Sequence, residues 1–269
     1  MKKRDAKDPS PSPSDLGVTV ITEVLKASEP RPNRSDPVGT KNQYAVRFAE
    51  QMAARIASDL SKRFRDIVAT PKRIAASVRG KKQLDINFST PRLGLALGIS
   101  LKSVHLRDVK GSERYTHNMK RNEEELRIEA SGYHKRQPYA VMIAVLFLPF
   151  DSADDGKKDN PSSFGSWVRH LRPYTARKDS ENEIDKFENI YIGLYEPDGS
   201  NLRFFDVLGA PPKNGRPTLT LDYRGLLNEI YHAYLKRNEA EFKWAEGDEE
   251  PLDVEEDIAE EDAPEDDET

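Results

Sequence analysis

Asp85 and Lys102 are the residues whose types and spacing carry the most chemistry in this chain. Asp85 lies in a stretch, Gln83–Phe88, where apolar Leu84, Ile86 and Phe88 alternate with Gln83, Asp85 and Asn87. Ser100 follows 15 residues later and Lys102 two beyond it, so both project from one face of a strand. Adjacent strands bring such an acid and such a lysine together. A carboxylate suits Mg²⁺, a hard cation that prefers oxygen ligands. An ammonium group nearby offsets the negative charge that builds on a phosphate under attack and helps to position the attacking water. Two plainer readings stand beside this one. Asp85 is then an exposed strand residue, and Lys102 an edge residue that discourages aggregation. The apolar neighbours Leu97, Ile99 and Leu101 argue for a central strand.

Between residues 107 and 121 the chain is basic. Arg107, Lys110, Arg114, Lys120 and Arg121 stand against Asp108 and Glu113, with Tyr115 and Asn118 interleaved. Such a loop holds phosphates and occasionally reaches bases, or is simply solvated. The segment Asp151–Asp155 is acidic enough for a second cation, or is a plain surface loop. Five histidines are scattered with no pair at zinc spacing on one helix. His134 falls at a helix end, where a cation interacts favourably with the helix dipole, and reads as structural. The chain has no phosphate-cradling Walker loop, no dinucleotide-binding glycine pattern and no nucleophile elbow.

The elements that must position these residues follow from periodicity. The apolar residues Phe48, Met52, Ile56, Leu60, Phe64 and Ile67 recur every three or four positions, predicting a helix over 42–68 that Pro71 closes. Strands are expected over 73–78, 83–88 and 95–106, then a helix over 122–134 and a buried strand over 139–148. A short helix over 163–171, a hairpin over 189–208 and a last helix capped by Asp222 complete the body. In that last helix Leu226, Leu227, Ile230, Tyr234 and Leu235 face inward. The stretch 16–25 reads as a short strand or helix, and 28–40 as a Pro-rich linker.

The fold class is therefore α/β, a mixed central sheet flanked by helices. One domain is expected over 41–246, between a largely disordered 1–40 and a disordered acidic tail over 247–269. The 269 residues hold no Cys, which excludes disulfides, thiolate metal sites and thiol catalysis. No apolar stretch is long enough for a signal peptide or a bilayer span, so a cytoplasmic protein with no membrane contact is expected. The net charge of −5 conceals an asymmetry. Residues 246–269 hold 15 Asp/Glu and no Lys/Arg, leaving 32 acidic against 42 basic residues elsewhere. A basic body with an acidic tail fits a nucleic-acid partner, while the tail itself either mimics DNA charge or aids solubility.

The order helix, three strands, helix, strand over roughly 42–149, with Asp85 on the second strand and Ser100-Leu101-Lys102 on the third, resembles the PD-(D/E)xK nuclease superfamily, restriction endonucleases included. That family places an acid on the second strand and an acid-x-Lys triplet on the third. Here Ser100 stands where an acid is usual. Some restriction enzymes with a Ser-x-Lys triplet recruit the acid from the following helix, and the resemblance assigns that role to Glu125 first and Glu129 second, or to both. The plainer reading pairs them with Arg121 or Arg136 across a solvated helix face. Family members often also carry an acid on the helix before the sheet, matched loosely by Glu50. The resemblance implies an αβββαβ core and a Mg²⁺-dependent DNA endonuclease of restriction or anti-phage type, with Mn²⁺ as an alternative metal. Asp85, Glu125 and Glu129 would be the metal ligands, Lys102 the charge-stabilising residue, and Ser100 a water-mediated ligand. Double-stranded DNA, a homodimer, a methyltransferase or the subunits of a defence complex are the implied partners. A nuclease-fold module that binds DNA without cutting it, and a subunit active only within a complex, remain open.

Overall fold

A computed structural model describes residues 13–70, 84–91, 94–107, 113–157 and 160–239. Its centre is a run of nine consecutive buried residues, β4 (Val141–Pro149). A strand can bury both faces only in the middle of a sheet covered on both sides, and this sheet is so covered. The six strands are β1 (Val68–Ala69), β2 (Ile86–Thr90), β3 (Gly94–Ser103), β4, β5 (Asn189–Tyr195) and β6 (Leu202–Asp206), and they lie in sequence order. The β3, β4 and β5 strands are parallel, and the other pairings are antiparallel. The protein is thus a mixed α/β structure.

Helices α1 (Pro13–Ala27), α2 (Val38–Leu60) and α5 (Tyr223–Arg237) cover one face. Their Val20, Ile21, Phe48, Met52, Leu226 and Ile230 pack with the odd-numbered Leu97, Ile99 and Leu101 of β3. Helices α3 (Met119–His134) and α4 (Ser163–Leu171) cover the other face. There Leu126, Ala130, Phe164 and Trp167 pack with Met142, Ala144 and Leu146. Parallel neighbours need a crossover, and α3 supplies the one between β3 and β4. The order α2–β2–β3–α3–β4 follows the elements read from the sequence, whereas β1 (Val68–Ala69) falls where the helix was expected to continue.

Several boundaries differ for identifiable reasons. The segment expected to be largely disordered contributes to the core, because α1 is a 15-residue helix whose Val20, Ile21, Val24 and Leu25 are buried against α2 and α5. The helix read as 42–68 spans Val38–Leu60. Phe64 and Ile67 are buried in non-helical chain that turns back into the core, so their spacing imitated two further helical turns. Val68 begins β1 instead. Leu84 departs from the alternation of Ile86 and Phe88. It packs on the α3 face, over the space left by Gly98, where an added Cβ would meet the Leu84 side chain at 2.6 Å. Leu235, expected inward, is exposed. The strand expected over 73–78, Gln83, Pro71 and the acidic tail lie outside the described residues.

The α4 and α5 starts match the sequence reading. The Ser162 hydroxyl accepts from Gly165 N, and the Asp222 carboxylate accepts from Gly225 N, each supplying a partner for an otherwise orphaned helical N–H. His134 corrects another expectation. It is fully buried rather than a cation at a helix end, and burial together with the nearby Arg177 pushes its pKa down to about 4, leaving the ring neutral. Its role is structural: the two ring nitrogens lie 2.9 Å from Ile184 O and 3.3 Å from Ala140 O.

Candidate active site

The antiparallel register Ile86↔Ile99 and Asn87↔Gly98, carried one residue on, sets Asp85 opposite Ser100. Asp85 is buried, and its Oδ2 accepts from Leu101 N at 2.6 Å, between Ser100 and Lys102 in the chain. That bond holds the carboxylate against β3 where β2 begins. Thr70 N donates to the Asp85 carbonyl at 2.8 Å, fixing the same residue from the β1 side. The sheet therefore assembles the sequence-predicted trio from two neighbouring strands.

Even-numbered positions of β3 face α3. Lys102 Nζ lies 3.4 Å from Glu125 Oε2, and Arg121 Nε donates to Glu125 Oε1 at 3.0 Å. This contact fixes the register of α3 over the sheet. As the crossover between two parallel strands, α3 runs back along β3. Four helical residues span about 6 Å, and two strand residues about 6.6 Å. Ideal spacing therefore directs Glu129 one step from the Lys102–Glu125 contact towards Ser100, and Tyr133 one step further. Its hydroxyl pKa is raised by burial and by the Glu129 charge, opposed by a backbone hydrogen bond at Leu84 and by Arg136. The Leu84 bond independently places the end of α3 at the start of β2.

Glu129 is buried, and Ser100 is completely so. The Ser100 hydroxyl has no hydrogen-bond partner among the described residues. A buried hydroxyl left so costs free energy unless a water or ligand meets it. Glu50 lies on α2 and approaches the sheet from the opposite face to Glu125 and Glu129. The structure thus brings Asp85 against β3 beside Ser100 and Lys102, sets Glu125 against Lys102, places buried Glu129 one turn further along α3, and leaves Glu50 on the helix across the sheet.

A second group, not singled out as a unit in the sequence, stands where β3 and β4 end. Asp151 Oδ2 accepts from Arg107 Nη2 at 2.8 Å and from the Tyr115 hydroxyl at 2.7 Å. Burial pushes the Tyr115 hydroxyl up to about 12, and its own bonds with Tyr115 and Asp151 raise Arg107. The sequence had marked Asp151 within an acidic segment and Arg107 and Tyr115 within a basic one, but nothing in it paired the two segments. The rest of the basic segment is more structural than the sequence suggested. Arg114 donates to the Pro161 carbonyl and to Ser166 Oγ, tying the chain to the start of α4. Lys120 pairs with Glu124 at 3.9 Å on the helix surface, and Arg121 is largely exposed. Lys110 lies outside the described residues. In the acidic loop, Asp154 meets Arg216 at 4.0 Å and Asp155 accepts from Ser163 N at 2.6 Å, so internal partners engage carboxylates that could have served a second cation.

His105, just beyond β3, lies on the α2 face. Its Nδ1 is 2.7 Å from the Tyr195 hydroxyl, and Tyr44 and Phe48 meet its ring edge-on. Burial and the Arg31 charge lower its pKa to about 3. An unfolded histidine titrates near 6.5, so below that pH the unfolded chain takes up a proton that the folded ring refuses. Stability is fully present above about pH 6.5 and declines towards pH 3. Relative to a His105→Gln variant, wild type is expected to lose up to about 1.4 kcal/mol per pH unit over that window. Urea unfolding at several pH values measures the difference, and parallel curves for the two proteins would contradict the assignment.

Comparison with protein-family models, with curated proteins and with solved structures finds no match to this chain.

Proposed function

We propose that the chain is a metal-dependent nuclease, and more particularly a Mg²⁺-dependent DNA endonuclease similar to type II restriction enzymes, serving restriction or anti-phage defence. One observation carries the reading. Asp85 and Ser100 from neighbouring strands meet at one end of the sheet, where Lys102 of the same strand is held by Glu125 of the following helix.

The residues fit a Mg²⁺ ion. Among the described residues no three carboxylate or imidazole groups close on one point. Mg²⁺ does not require this, because it keeps several waters and is commonly held by one or two carboxylates with substrate phosphates. Asp85 and a glutamate of α3 supply the carboxylates. The Ser100 hydroxyl, buried and unpartnered among the described residues, is placed to bond a metal-bound water. When bound, the ion polarises the phosphate and lowers the pKa of the attacking water.

The protein's own groups do the rest. The Leu101 N–H fixes the orientation of the Asp85 carboxylate. Lys102 sits in a largely buried position, where an ammonium offsets developing phosphate charge more strongly than it does in water. Arg107, set by Asp151 and Tyr115, is half-exposed at the end of β3 and meets the nucleic-acid backbone. One such site cuts one strand, so a double-strand break requires two copies or two events.

A second reading, a nuclease-fold module that binds DNA without cutting it, draws on the Lys102–Glu125 ion pair, which already engages the ammonium group. The experiment is plasmid cleavage in Mg²⁺ by wild type and by Lys102→Ala. The endonuclease reading expects nicked or linear product, with the rate at saturating DNA reduced about 10²–10³-fold in the variant. Binding without cleavage by wild type, on modified and unmodified DNA alike, favours the module. Cleavage only with added cellular partners favours a subunit of a defence complex.

A further inference from the structure

Glu125 is placed as a bridge between two cations. One carboxylate oxygen lies 3.4 Å from Lys102 Nζ, and the other accepts from Arg121 Nε at 3.0 Å. Lys102 comes from the sheet and is mostly buried, whereas the Arg121 side chain is 73% exposed. An anion held between an interior ammonium and a solvent-facing guanidinium occupies the position that a nucleic-acid phosphate needs in order to meet both. Glu129 lies one turn further along α3 and is buried, at 5% exposure.

We infer that the two glutamates of α3 divide the work, and that Glu125 is a stand-in for a substrate phosphodiester rather than a metal ligand. In the free protein it keeps Lys102 and Arg121 oriented. On binding, a phosphate takes over both cations and the carboxylate swings towards solvent, where it is already partly exposed. The exchange makes the site selective for ligands with a phosphate at this step, because only these replace the charge that Glu125 withdraws. Phosphate contacts of this kind are independent of base sequence. The inference rests on the nuclease reading for its substrate class, but its test does not require cleavage.

The test is binding of a labelled 20-base-pair DNA duplex, followed by fluorescence anisotropy in EDTA over a range of salt concentrations. Glu125→Gln keeps the side-chain shape and removes the competing charge. It is expected to bind about tenfold more tightly at low salt. Its salt dependence should steepen by one to two in log–log slope, as Lys102 and Arg121 become available to phosphates. Adding Lys102→Ala to Glu125→Gln should reverse most of the gain. Arg121→Gln, a surface change that leaves folding intact, should weaken binding on its own. Affinity that is unchanged or weaker in Glu125→Gln overturns the inference, as does absence of binding by both proteins.

A cleavage assay of the same proteins in Mg²⁺ separates the two readings. Loss of cleavage in Glu125→Gln with unchanged affinity makes Glu125 a metal ligand, leaving the nuclease reading in place and overturning the exchange. Tighter binding by Glu125→Gln with no cleavage by wild type removes the nuclease reading and keeps the exchange.

Discussion

Replacing Glu188 by alanine is expected to cost about 3–5 kcal/mol of stability, because it takes a buried carboxylate away from two buried guanidinium groups. Glu188 immediately precedes β5. Its Oε2 accepts from Met142 N at 2.6 Å, and its Oε1 accepts from Arg237 Nη2 at 2.7 Å and lies 3.5 Å from Arg177 Nη1. The side chains of Glu188, Arg177 and Arg237 are all nearly or wholly buried. Burial pushes the Glu188 carboxyl up, while Arg237, the Met142 N–H and Arg177 draw it back down. Burial likewise lowers both arginines, with Glu188 opposing it in each case.

Neutral packing of the same volume could be as stable as this cluster, so its presence alone says little about net stability. Removing one partner is another matter, since the remaining charges keep the cost of their desolvation. For a body of this size the loss corresponds to a fall in Tm on the order of 10 °C. Glu188→Gln keeps an acceptor for Met142 N and is expected to lose less. Thermal unfolding followed by circular dichroism decides the matter. A Glu188→Ala midpoint within about 2 °C of wild type would mean that water reaches the arginines and carries their charge.

The second large effect is expected at Trp167. Its ring is fully buried on the α3–α4 face, and its Nε1–H donates to the Tyr115 carbonyl at 2.7 Å. Trp167→Ala removes one of the largest side chains of that core and is expected to cost about 3–5 kcal/mol. Trp167→Phe keeps most of the apolar contact but leaves the Tyr115 carbonyl without this donor, at about 1–3 kcal/mol. The consequence for function follows from what Tyr115 holds. Its hydroxyl donates to Asp151, which positions Arg107, and its N–H donates to Ser163 Oγ at 2.9 Å. On the proposed nuclease reading, Trp167→Phe should therefore weaken DNA binding at a temperature where the variant is fully folded. Loss of stability with unchanged affinity would confine Trp167 to packing and separate Arg107 from DNA binding.

The periodicities of α2, α3, α4 and α5 and of the central strands can be read locally, because a helix or strand buries a stripe or a face and so writes its period into the chain. The 163–171 helix was legible to the residue, since Ser162 caps it and apolar Phe164, Trp167, Val168 and Leu171 mark its buried side. The helix at 13–27 was ambiguous between helix and strand. Its first residues are Pro- and Ser-rich, and only contact with α2 and α5 shows how its apolar side is covered.

At the candidate site, residue type and spacing determined Asp85, Ser100 and Lys102 as one constellation. A period of two puts Ser100 and Lys102 on one face, and antiparallel neighbours bring Asp85 opposite. Spacing could not rank Glu125 and Glu129, which share a helical face. The ranking depends on how far α3 slides along β3, a quantity set by packing between distant parts of the chain. With Lys102 against Glu125, that packing makes Glu125 the partner of the two cations. The same distinction holds for charge. The sequence determined where the basic residues lie in the chain. Only the tertiary structure decided that Arg114 is bound to the α4 start, that Arg107 is set by Asp151, and that His105 and His134 are buried and neutral. Local order is written in neighbouring residues, whereas electrostatic partners and desolvation depend on what the fold brings from far along the chain.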